Sequence, residues 1–85
     1  MAVRMLYFAR VREAIGVGEE LVDPPASVTS VADLVAWLAG RGEGHAAAFA
    51  DPGRLRAAID QAMVPLDAPL GSPKEVALFP PVTGG

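Results

Sequence analysis

One stretch of this chain is committed to a helix with a single buried face, and everything else must be arranged around it. Ser30-Val31-Ala32-Asp33 matches the S/T-x-x-D/E start signal, with Ser30 as N-cap. Val31, Leu34, Val35 and Leu38 then recur at i, i+3, i+4 and i+7 and draw one apolar stripe. Gly40 and Gly42 supply the stop. Trp37 falls off the stripe and reads as flanking core. A single stripe needs a partner surface, and the flanking sequence offers strands.

Residues 2–9 (AVRMLYFA) are rich in β-formers and apolar on both alternating faces, as a central strand is. Residues 10–15 form either one helical turn or a loop, stopped by Gly16. Residues 18–23 read as a second strand pairing back on the first, ended by Pro24-Pro25. Residues 40–52 are the least legible, with a short helix expected at 45–49 inside a loop. Residues 55–60 and 63–66 look like short strands joined by a turn, and Pro65 suggests an edge position for the second. A turn cluster at 69–74 precedes a last apolar strand at 75–79, which Pro80-Pro81 stops. The terminal strands, apolar on both sides, belong together at the centre of the sheet. This order predicts an α+β domain: a mixed sheet of four to five strands against one main helix, the ubiquitin-like β-grasp pattern. Other small α+β folds share that order. The boundaries expected are a β-grasp domain over 1–79 and a flexible C-terminal tail over 80–85.

Composition removes whole classes of function. The net charge is −3 with the cations scattered, which disfavours nucleic acid, whose phosphates require clustered positive charge. No apolar run approaches the ~18 residues of a membrane span, and the N-terminus lacks a signal-peptide pattern. A cytoplasmic protein with no membrane partner is expected. The sequence contains no cysteine, so disulfides, zinc–thiolate sites and thiol nucleophiles are all absent. His45, the sole histidine, sits among Gly and Ala without ligand spacing and reads as a solvated surface residue, with no metal site. No Ser/His/Asp set, phosphate loop or facing carboxylate pair is present. Catalysis by the chain alone is not expected.

What remains is the end of the chain, Phe79-Pro80-Pro81-Val82-Thr83-Gly84-Gly85. Two glycines at a carboxyl terminus make a thin, pliant backbone that can thread a narrow channel. The two prolines fix φ near −65° and favour an extended exit. Residues 80–85, at up to ~3.3 Å each, reach roughly 20 Å.

The ending from Val76 to Gly85 closely resembles that of the molybdopterin synthase small-subunit family, the MoaD sulfur carriers. Leu6-Tyr7-Phe8-Ala9, Arg12-Glu13 and Gly16 are similar to the family's first strand and turn. Residues 55–61 resemble its internal strand, with Asp60 where Asn is expected, and residues 40–53 have no firm counterpart. The resemblance implies a sulfur carrier. The Gly85 carboxylate is adenylated with ATP by a MoeB-like adenylating enzyme and converted to a thiocarboxylate. It then donates sulfur to cyclic pyranopterin monophosphate within a hetero-oligomer with the large subunit, MoaE. No bound cofactor is implied. The residues expected to meet partners are Met63, Phe79, Pro80, Pro81, Val82, Thr83 and Gly84. A terminal Gly-Gly also suits carriers for thiamine or cysteine synthesis, or a ubiquitin-like modifier of lysines. The plain alternative is a small binding domain with a frayed tail.

Overall fold

The computed structural model describes residues 2–81. Their elements run β1 (Val3–Tyr7), α1 (Ala9–Ile15), β2 (Glu19–Val22), α2 (Val31–Ala39), α3 (Glu43–Ala48), a 3-10 turn (Pro52–Arg54), β3 (Arg56–Ile59), β4 (Ala62–Val64) and β5 (Glu75–Phe79). Among these residues the strands form one five-stranded sheet ordered β2-β1-β5-β3-β4. β1 and β5 are parallel neighbours at its centre, and every other pairing is antiparallel. This is the β-grasp expected, with the two terminal strands side by side.

Register explains the core. Val3, Met5 and Tyr7 of β1, Val76 and Leu78 of β5, and Ala57 of β3 share one sheet face and are buried. The stripe Val31, Leu34, Val35 and Leu38 of α2 joins them in a single core. Each fully buried Val or Leu contributes roughly 1.5–3 kcal/mol over its exposed state. Trp37 packs partly buried against this core, as expected, with the Arg41 guanidinium 5.1 Å from its ring centroid.

The start of α2 departs from the reciprocal capping box in one respect. Ser30 Oγ accepts from the Asp33 amide at 3.0 Å, as predicted. The Asp33 carboxylate instead accepts from the amide and hydroxyl of Thr29, both at 3.1 Å, one residue further upstream. Hydrogen bonds from Thr29, the backbone one first, hold that carboxyl below its ordinary value. The amides of Val31 and Ala32, orphaned at a helix start, donate to the carbonyls of Ala68 and Leu66.

Several stretches that were open or compressed in the sequence resolve differently. Residues 10–15 belong to a full helix, α1, closed by Gly16 at φ 97° with its amide on the Arg12 carbonyl. The short helix expected at 45–49 begins two residues earlier. β4 is an edge strand, as Pro65 suggested, but Pro65 itself lies just beyond its end. The turn between β3 and β4 is formed by Asp60 and Gln61, at φ 47° and 74°. Two successive positive φ values make a tight hairpin turn matched to strand twist, in which Asn and Asp are favoured. Asp60 Oδ1 also accepts from the amides of Lys74 and Glu75 at 3.0 Å, tying the hairpin to the start of β5.

Candidate functional site

The tail leaves from the C-terminal end of β5, the strand hydrogen-bonded on both sides at the middle of the sheet. Pro80 and Pro81 follow directly and are half-buried. Val82, Thr83, Gly84 and Gly85 lie outside the described residues.

Alternation decides which side chains surround that exit. Along β5, Val76 and Leu78 point into the core, so Glu75, Ala77 and Phe79 point to the opposite face. In register, Leu6 of β1, Ala77 of β5, Ala58 of β3 and Met63 of β4 form one row across that outer face. Adjacent strands lie ~4.8 Å apart, so Met63 stands about 10 Å from Ala77 along this row. Met63 is 64% exposed. Phe79, half-buried, is paired across to Arg56 on the same face. Met63 and Phe79, singled out from the sequence, therefore share the sheet face that α2 does not cover.

Two further apolar side chains on this surface were not singled out. Phe8 is 47% exposed and meets Phe79 edge-on, with ring centroids 6.5 Å apart. Its amide donates to the Leu78 carbonyl, extending the β1–β5 pairing up to the tail's root. Ala9 follows at φ 51° and turns the chain into α1, which leaves Phe8 at the rim. Leu21 of β2 is 70% exposed and lies opposite Arg4. The signal was present in the sequence: a central strand apolar on both sides has more apolar faces than one helix can cover.

The polar chemistry lies elsewhere, on the helical side, and corrects one expectation. His45 is not a solvated surface residue. Its side chain is 15% exposed, and its Nε2 lies 2.7 Å from Glu20 Oε2. The same oxygen accepts from the Tyr7 hydroxyl at 2.7 Å, and the Tyr7 and His45 rings meet edge-on. Burial would raise the Glu20 carboxyl, but hydrogen bonds from His45 and Tyr7, with the nearby charge of Arg41, hold it below its usual value. Tyr7 is pushed well above the ordinary phenol range, first by burial and then by the Glu20 carboxylate. These groups join three elements that sequence spacing does not connect, and they are all satisfied by one another. Among the described residues no group of His, Asp and Glu could hold a metal ion, and no buried side-chain nitrogen or oxygen lacks a partner. No helix of the described residues is long and apolar enough to cross a membrane.

What this arrangement offers is a sheet with one buried face and one uncovered apolar face, and a central strand that ends at Phe79 beside the latter. The ThiS family matches residues 5–85. The chain belongs to the ThiS family. It is 40% identical over 83 residues to the molybdopterin synthase sulfur carrier subunit of Escherichia coli (strain K12), a match covering 98% of this chain and 99% of that one. The fold is similar to a putative molybdopterin converting factor, subunit 1, from Pyrococcus furiosus, with a TM-score of 0.75 and 30% identity, covering 96% of this chain and 99% of the other. Small archaeal modifier protein 1 from Haloferax volcanii is similar at a TM-score of 0.73 and 25% identity, over 95% and 98% of the two chains.

Proposed function

We propose that this ThiS-family member is the sulfur carrier subunit of a molybdopterin synthase. The observation that carries this reading is the end-to-end likeness to the Escherichia coli carrier subunit, beside this chain's own Phe-Pro-Pro-Val-Thr-Gly-Gly ending. The geometry supports it. β5, whose last residue is Phe79, is hydrogen-bonded along both edges, and the uncovered sheet face bears Met63, Phe79 and Phe8.

The reactive group is the Gly85 carboxylate. It attacks the α-phosphorus of ATP on an adenylating enzyme and pyrophosphate leaves, giving an acyl-adenylate with a good leaving group. A sulfur donor equivalent to hydrosulfide then displaces AMP, and the terminus becomes a thiocarboxylate. On the large subunit the thiocarboxylate sulfur bonds to a side-chain carbon of cyclic pyranopterin monophosphate as a carbon–oxygen bond at that carbon breaks and the oxygen substituent leaves. Water cleaves the acyl–sulfur bond and returns Gly85 as a carboxylate. Two deliveries build one dithiolene. Val82, Thr83 and Gly84 thread the partner's channel, while Met63, Phe79, Pro80 and Pro81 meet its wall. The absence of cysteine fits a carrier whose sulfur rides on the main chain.

Co-incubation with the adenylating enzyme, ATP and a sulfur source should replace one oxygen by sulfur at Gly85, read by intact mass. Adding the large subunit and the pyranopterin should then yield the dithiolene. A chain that acquires neither adenylate nor sulfur refutes the reading. The likeness to an archaeal modifier protein supports a second reading, in which a lysine amine replaces the sulfur donor and an isopeptide bond forms. Higher-mass conjugates that vanish on deleting Gly85 would mark it.

A further inference from the structure

On the helical side of the tail's root lies a groove of about 260 Å³ between α1 and the end of α3. Ala14, Ala47 and Ala48, whose side chains are only methyl groups, line it together with Pro80. Arg10 and Arg54 also line it, both exposed and neither in an ion pair among the described residues. Asp51 is the single carboxylate in the lining. In a chain of net charge −3, this is a place where positive charge outweighs negative at the point where the tail departs.

We infer that this groove is a second docking surface, and that it receives an acidic segment of the large synthase subunit. The inference rests on the proposed function, in which the large subunit takes in the tail and must therefore approach Pro80 closely. The adenylating enzyme, which also takes it in, is the alternative occupant that the test separates. The apolar sheet face can hold such a partner but is weak at orienting it, since hydrophobic contact is non-directional. Two arginines on the opposite side of the tail supply direction. A guanidinium presents a planar fork of donors that fits a carboxylate, and the small alanine side chains let a backbone carrying those carboxylates come close. The partner then grips the root from both sides, with apolar contact on the sheet face and charge-assisted hydrogen bonds on the helical face.

The test is a binding titration of the full chain against the large subunit at several salt concentrations. Double reversal, Arg10→Glu with Arg54→Glu, should weaken binding roughly tenfold or more at low salt and flatten the salt dependence. The neutral pair Arg10→Gln with Arg54→Gln should give a smaller loss in the same direction. Lys74→Glu, at the far end of β5, should change little. Unchanged thermal melts would confirm that the exposed substitutions leave the fold intact. If the double reversal binds within about twofold of the native chain with the same salt slope, while dithiolene formation proceeds, the groove assignment fails and the carrier reading stands. A change confined to the adenylating enzyme, or to self-association of the chain, overturns the assignment to the large subunit. If the native chain neither binds the large subunit nor acquires sulfur, both readings fall together.

Discussion

The two faces of the central sheet use similar side chains and end up in opposite conditions. Under α2, Val3, Met5, Val76 and Leu78 are fully buried. On the other face, one residue out of phase along the same strands, Leu6 and Phe79 are half-covered, and Met63 on the edge strand β4 is largely exposed. The first face is what the fold requires. The second carries apolar surface that the fold leaves uncovered, and such surface is suited to a partner.

Deleting Gly84 and Gly85 should break this comparison most sharply. Thiocarboxylate formation and dithiolene synthesis should be lost completely, while the thermal midpoint stays where it was. A tail deletion that unfolds the domain would mean that tail and sheet are not separable. On the buried face, Leu78→Ala should cost about 2–5 kcal/mol in denaturant unfolding. On the open face, Met63→Glu should change stability by only about 0.5 kcal/mol, yet weaken binding of the large subunit. Equal stability losses at both positions would contradict the contrast.

Gly44→Ala tests the support behind the buried face. A Cβ there would meet the Ala14 carbonyl oxygen at 2.5 Å, so α1 and α3 must separate, at a cost of about 1–3 kcal/mol. The smallest effect concerns acid. The Glu20 carboxyl is held below its ordinary value of 4.5 in the folded chain. It therefore contributes stability that is present above that pH and lost as pH falls through the depressed value. Unfolding curves for Glu20→Gln should lack this acid-dependent part, and a parallel decline in both proteins would refute it.

Where the sequence was legible, one local rule decided the element. α2 was defined by its cap and stripe, and the pairing of β1 with β5 by apolar character on both sides. α3 and His45 were opaque for a physical reason. That helix has no buried residue of its own and no apolar period, and it docks through the close approach of Gly44 and a carboxylate 25 positions away from His45. Phe8 was obscured because the strand pattern ends at Ala9, whose positive φ turns the chain away. For the site, alternation placed Phe79 and Ala77 together, but only register across β3 brings Met63 onto their face. The chemistry at Gly85 came from the resemblance of the tail.

The position of β5 has a mechanical consequence. On the proposed function, a tail drawn into the partner must later be pulled out, and that tension passes through Pro80 into β5. Because β5 is bonded along both edges, to β1 and to β3, the load falls in shear on two ladders at once rather than peeling one bond at a time. Held on both edges, β5 resists unravelling when tugged by its end.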